Sequence, residues 1–243
     1  MNIKLVVEYD GTDYHGYQIQ ANANTVQAEL EKVLRILVKD DFVLYCAGRT
    51  DTGVHAKGQV CNFKSNDLRV KVENLKDALN SMLPEDISVK DVTLVDDSFN
   101  SRYSAKKRVY RYVIFNGTSR TAIGCRYSWF VREELCVEDM KKAAAYLVGH
   151  KDFKAFTDAS YSDITERDVY YINISKEDEY IFIDICANAF TRSMVRNIVG
   201  TLCEVGKGKR EASEVQTILN SQDRQKAGVC APPQGLFLVR IDY

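Results

Sequence analysis

The hydrophobic period switches between two and 3.6 in a fixed order along this chain, and that order limits the folds open to it. Residues 3–9 alternate, with Ile3, Leu5, Val7 and Tyr9 on one side, the pattern of a half-buried strand. Residues 25–38 then carry Val26, Leu30, Val33, Leu34 and Leu37 on one helical stripe, behind Thr25 as N-cap. Phe42 to Cys46 and Gln59 to Phe63 read as two short strands. A second amphipathic helix is predicted over 70–83 through Val72, Leu75, Leu79 and Met82, with Pro84 as its stop, and a fourth strand over Ile87 to Val95. The order is βαββαβ, the ferredoxin-like plan.

The second half repeats this plan with insertions. Lys106 to Phe115 puts Arg108, Tyr110, Tyr112 and Ile114 on one side and Val109, Arg111, Val113 and Phe115 on the other. Tyr127 to Val131 is a candidate partner strand. A helix is predicted over 137–148, strands over 168–175 and 180–187, helices over 191–204 and 211–220, and a last strand over Leu236 to Asp242. The 243 residues suffice for a substantial core, and no low-complexity linker divides them. The expected fold class is α+β. Two ferredoxin-like halves, 1–104 and 105–243, share one continuous mixed β-sheet, with helices mainly on one face and a cleft where the halves meet.

Composition narrows the partners. The net charge is −1, so a surface for a polyanion has to be made by clustering basic groups rather than by excess. The seven cysteines (46, 61, 125, 136, 186, 203 and 230) form no C-x-x-C pair, which points to buried thiols in a reducing cytoplasm. His15, His55 and His150 lie far apart, so no metal site is expected. The N-terminus reads as a strand without a signal-peptide core, and no apolar run reaches membrane-spanning length.

Between the second and third strands lies Ala47-Gly48-Arg49-Thr50-Asp51-Thr52-Gly53-Val54-His55-Ala56. It is longer and more polar than a hairpin turn requires. Its bland reading is a turn in which Asp51 bonds its own backbone and Arg49 is solvated. Its chemical reading makes Asp51 a nucleophile. A nucleophilic carboxylate has to be ionised yet partly stripped of water, and an adjacent guanidinium serves that end. Arg49 is one candidate partner. Arg196 is the other, on Arg192-Ser193-Met194-Val195-Arg196-Asn197-Ile198-Val199-Gly200, where Arg192, Arg196 and Gly200 recur at i, i+4 beside the core stripe of Met194, Val195, Ile198, Val199 and Leu202. Gly200 implies close backbone packing on that side.

Tyr110, with Arg108 and Tyr112 beside it and Lys106-Lys107 before it, has the make-up of a base-stacking platform; the competing reading is a core tyrosine. The basic run Lys207-Gly208-Lys209-Arg210 either meets phosphates or forms a charged helix exit. In the loop at 10–18, Asp10-Gly11-Thr12 with Tyr14, His15 and Tyr17 either touches a ligand or closes on itself through Asp10. His55 is a base, a phosphate contact or a structural histidine. Leu236, after Pro232-Pro233-Gln234-Gly235, lines a cavity or packs in the core.

Taken together, the chain resembles the TruA-type tRNA pseudouridine synthases nearly from end to end. The resemblance is carried by Tyr9-Asp10-Gly11-Thr12, Thr25-Val26-Gln27, Gly48 to Ala56, Leu83-Pro84-Glu85-Asp86-Ile87, Arg102-Tyr103-Ser104-Ala105, Arg108 to Tyr112, Phe153 and Phe156, Met194 to Gly200 and Ala231 to Leu236. It implies that Asp51 is the nucleophile, that Arg196 pairs with it, that Tyr110 packs against the target uracil, that Leu236 is an apolar wall and that Arg49 helps hold a flipped-out nucleotide. It further implies a homodimer acting on tRNA at uridines 38, 39 and 40 of the anticodon stem-loop, without cofactor or metal. Tyr17 stands where the family usually has Trp, and Gly149 to Phe153 departs from its usual His-Asp-Phe ending. Two other classes are an RNA-binding module without chemistry and an aspartate-nucleophile hydrolase. The first leaves Asp51 and Arg196 without a purpose, and the second needs a base for water that only His55 offers.

Overall fold

The computed structural model describes residues 1–158 and 164–243. The chain forms two compact units, Met1–Lys106 with Phe237–Tyr243, and Lys107–Leu236. The first contains β1 (Asn2–Tyr9), α1 (Val26–Leu37), β2 (Tyr45–Cys46), β3 (His55–Lys64), α2 (Val72–Asn80) and β4 (Ile87–Val95). The second contains β5 (Lys107–Phe115), β6 (Trp129–Phe130), α3 (Val137–Ala145), β7 (Gly149–Asp152), β8 (Glu166–Glu177), β9 (Tyr180–Ala187), α4 (Met194–Gly206) and α5 (Glu214–Ser221). The last strand, β10 (Leu236–Asp242), belongs to the first unit from Phe237 onward.

Both units are α+β. In the first, β1 pairs antiparallel with β3 and with β4, and β2 pairs antiparallel with β3, the spatial order 4-1-3-2 of a ferredoxin-like sheet. β10 joins β3 in parallel through Phe237 opposite His55. In the second, β9 lies between β5 and β8, β7 extends the sheet beyond β8, and β6 runs parallel to β5. The alternation expected along β1 is real: Ile3, Leu5, Val7 and Tyr9 are all buried. So is the whole apolar stripe of α1, whose first turn is capped by the Thr25 hydroxyl accepting from the Ala28 N–H.

Several boundaries differ from expectation, each for a tertiary reason. The strand expected over Phe42 to Cys46 shrinks to two residues, because Phe42 turns away to pack its ring against Phe63. β3 starts at His55 rather than Gln59, since Tyr9 on one side and Phe237 on the other pair with its early residues. α2 stops at Asn80, whose side-chain amide brackets Val89, donating to its carbonyl and accepting from its N–H, and so docks the helix end on β4. β7 was not expected at all; Gly149-His150-Lys151-Asp152 has no apolar alternation, and it is a strand because β8 supplies its hydrogen bonds. The expectation of buried thiols fails for Cys125 and Cys136, which are exposed. Among the described residues, no helix is long and apolar enough to cross a membrane.

The second unit is held by a close approach of backbone to helix. A Cβ on Gly200 in α4 would stand 1.7 Å from the Val229 carbonyl oxygen, and one on Gly235 would stand 2.7 Å from the Tyr112 ring. Residues 229–235 are thereby pressed against α4 and β5. Gly200→Ala is expected to destabilise the protein by about 1–3 kcal/mol, the cost of overpacking against backbone that cannot turn aside, seen as a lower midpoint in urea unfolding.

Candidate active site

In the first unit the polar loop between β2 and β3 is fastened on several sides. The Gly48 carbonyl accepts from Gln59 Nε2 at 2.6 Å, and the Thr50 hydroxyl meets the Tyr9 phenol at 2.7 Å in a buried contact. The Tyr17 N–H donates to the Thr50 carbonyl at 3.1 Å, and the Gly53 N–H to the Tyr14 carbonyl at 3.3 Å. The two loops approach this closely because glycine stands at the contact points. A Cβ on Gly11 would lie 2.1 Å from the Val54 carbonyl oxygen, and Gly16, at φ +89°, would put one 2.7 Å from that of Thr50. Within the loop the Val54 N–H bonds the main-chain carbonyl of Asp51 at 3.1 Å. But the loop is positioned from outside as much as from within. Asp51 is half-buried at its apex and Arg49 is exposed beside it.

His55 is buried. Its Nδ1 accepts from the Gly11 N–H at 3.0 Å, lies 3.0 Å from Asp10 Oδ1, and its ring stacks on Phe237 at 4.8 Å. This is a fastening for the loop at 10–18. Of the two readings of that loop, Asp10 supports the self-closing one, since its Oδ1 accepts from both the N–H and the hydroxyl of Thr12. Neither thiol beside the loop is a nucleophile at neutral pH. Burial pushes Cys46 up to about 11, against the opposing pull of Arg49 and Arg102, and burial likewise drives Cys61 up beside the Tyr17 phenol.

In the second unit Tyr110 sits on β5 opposite Ile185 and is buried, its ring edge-on to Phe190 at 5.1 Å and 83°. Arg108 precedes it on the same face and donates to the Asn188 carbonyl. Arg196 on α4 donates from Nε to the Ala231 carbonyl at 2.7 Å, while the Ala231 N–H returns a bond to the Arg196 carbonyl at 3.1 Å. Next along, Tyr112 donates from its phenol to the Pro232 carbonyl at 2.7 Å. Burial holds that phenol well above its ordinary range, with the Arg196 guanidinium nearby opposing. One segment, 231–236, therefore gathers Arg196, the Tyr110 strand and buried Leu236 within this unit. The run at 207–210 is a charged helix exit: Lys207 pairs with Glu133 at 3.1 Å and Arg210 with Glu204.

The residues that sequence reasoning missed are those that hold others in place: Tyr9 with Thr50, Gln59, Phe190 and Phe237. In the sequence, the signal for the loop-on-loop contact is the pair of glycines at 11 and 16. A model of the tRNA pseudouridine synthase family matches residues 5–104 and 143–243. Those stretches include Arg49, Asp51, His55, Arg196 and Leu236 but leave out the strand of Arg108 and Tyr110. Full-length similarity covers that strand as well. A tRNA pseudouridine synthase A of Thermoanaerobacter sp. (strain X514) is 49% identical over 100% of this chain and 99% of its own length. Those of Ruminiclostridium cellulolyticum and Aliivibrio salmonicida are 45% and 41% identical, over 99% and 100% of this chain and 99% and 93% of their own lengths. Among solved structures, a Cbf5-Nop10-Gar1 complex aligns with 83% of this chain and 45% of that chain at a TM-score of 0.35 and 12% identity, too distant to carry a structural argument.

The Tyr9–Thr50 bond is testable in isolation. Tyr9→Phe and Thr50→Val are each expected to cost about 1–3 kcal/mol, and the double variant less than their sum by about 0.5–1.5 kcal/mol, the coupling of one buried hydrogen bond. Urea unfolding of the four proteins measures it.

Proposed function

Because this chain belongs to the tRNA pseudouridine synthase family, we propose that it isomerises uridine to pseudouridine at positions 38, 39 and/or 40 of the anticodon stem-loop, with Asp51 as nucleophile. The reaction breaks the N1–C1′ bond of uridine and forms C5–C1′; the C5 proton is released and N1 takes one up. The base has to leave its stack, at a cost of about a few kcal/mol, detach, turn and rejoin. Tyr110 stacks on the uracil and offsets part of that cost. Leu236 closes the apolar side, so that the detached ring is held by shape while few polar groups compete for it. Arg196 supplies the counter-charge to Asp51, and Arg49 and Arg108 hold the nucleotide's backbone. The carboxylate acts by attack on C1′, by attack on C6 or by removal of the C2′ proton.

The observation that carries this reading is the half-buried carboxylate at the apex of a loop fastened by Tyr9, Tyr14, Tyr17 and Gln59. An exposed turn of ordinary purpose does not need four outside partners. A net charge of −1 leaves the RNA-binding groove to be assembled, and a cytoplasmic homodimer gathers the basic clusters of two chains to do so.

Tritium release from tRNA labelled at uracil C5 separates isomerisation from RNA binding alone and from hydrolysis, because only bond formation at C5 expels that label. The protein as it stands is expected to release it. Asp51→Asn is expected to lose roughly 10⁴-fold or more in rate while still binding tRNA; measurable turnover by that variant removes Asp51 from the chemistry. Arg196→Ala is expected to slow turnover more than it weakens tRNA binding, read as a fall in kcat.

A further inference from the structure

In the second unit, Arg108 of β5 and Val169 of β8 both pair with Ala187 of β9, so the three side chains stand in one row on one face of the sheet. Arg167, two residues before Val169 on β8, points to the same face one step along. It is the face of Tyr110. Arg167 is half-buried, and its Nη1 donates to the Glu166 carbonyl at 2.6 Å. Its Nε is buried and has no hydrogen-bond partner, and no carboxylate pairs with it among the described residues. Its two acidic chain neighbours, Glu166 and Asp168, project to the opposite face of β8, and Asp168 is engaged by His150 Nδ1 at 2.7 Å and by Asn188 Nδ2 at 2.9 Å.

This arrangement works against itself in the protein alone. Burial and the charge of Arg108 both act to lower the affinity of the Arg167 guanidinium for its proton. A buried, unmatched N–H of a charged group is costly, and two like charges side by side add to the cost. Both costs are removed together by an anion with several acceptor oxygens. Guanidinium is the group best matched to phosphate, through forked, charge-assisted hydrogen bonds.

We propose that Arg167 and Arg108 form a phosphodiester-binding site that seats the backbone of the tRNA beside the nucleotide stacked on Tyr110. The choice of a phosphodiester rests on the tRNA reading above. A free carboxylate ligand would satisfy one fork, whereas a polynucleotide brings a phosphate with every residue of a strand whose base is on Tyr110. Arg167 lies in Thr165-Glu166-Arg167-Asp168, an outwardly ordinary charged run.

The test uses the full chain with Arg167→Met, which keeps the length of the side chain and removes its charge, and Arg167→Lys, which keeps the charge and loses the fork. Without RNA, Arg167→Met is expected to raise the thermal midpoint, because an uncompensated buried charge is gone. With transcribed tRNA it is expected to bind about 10-fold or more weakly, and the slope of log affinity against log salt is expected to become shallower by about 0.7–0.9, one phosphate contact. Arg167→Lys is expected to keep the slope and bind at intermediate strength. Inorganic phosphate is expected to stabilise the unaltered protein more than Arg167→Met. A lowered midpoint in Arg167→Met with an unchanged salt slope makes Arg167 a structural residue and overturns the site. If the unaltered protein releases tritium and the slope is unchanged, this inference alone fails. If the slope falls as expected and no tritium is released from tRNA, the anion site stands and the catalytic reading fails.

Discussion

The buried meeting of the Tyr9 phenol with the Thr50 hydroxyl fixes the residue immediately before Asp51, and with it the direction in which that carboxylate leaves the loop. Tyr9 ends β1, the central strand between β3 and β4, so the most rigid part of the first unit reaches directly to the loop apex. The other fastenings depend on the same approach. Once Gly11 and Gly16 allow the 10–18 loop to lie against residues 50–54, backbone groups of Tyr14 and Tyr17 find partners there, and His55 closes the far end through the Gly11 N–H. A loop with this many external partners stores little conformational freedom, and a reacting group on it needs no ordering at the moment of reaction.

The second unit reaches a comparable result by different means. There the key contact is between a helix and a passing strand of backbone. Gly200 removes the side chain that would hold residues 229–231 away from α4, and Arg196, one turn earlier, ties itself to Ala231 in both directions. Gly235 and Tyr112 repeat the approach against β5. Arg196 and Leu236 are thus set by a short stretch of chain fitted between a helix and a strand.

Electrostatics enters through position and not through totals. With a net charge of −1, several arginines and lysines are already matched: Arg111 forks onto Asp184, Lys207 pairs with Glu133, and Arg210 pairs with Glu204. Arg167 is different, half-buried next to a like charge with a buried N–H unmatched. A basic count along the sequence ranks the run at 207–210 above it. Desolvation and pairing reverse that ranking.

Periodicity determined most of the elements and their order, because burial on one side imposes a period of two or 3.6 directly on the residues; the stripes of β1, α1 and α4 are buried as the spacing demands. The glycine-bounded loop with Asp51 at its apex was legible for a similar reason, since its residue types exceed what a turn needs. What the sequence could not carry was anything decided by contact between distant segments. The shortening of β2, the existence of β7, the burial of Tyr110 against Phe190 and the fastening of Thr50 by Tyr9 all depend on which residues meet, and 41 positions separate the last pair. Arg167 shows the limit most plainly: a guanidinium is costly or harmless according to the water and the charges around it, and only the tertiary structure sets those.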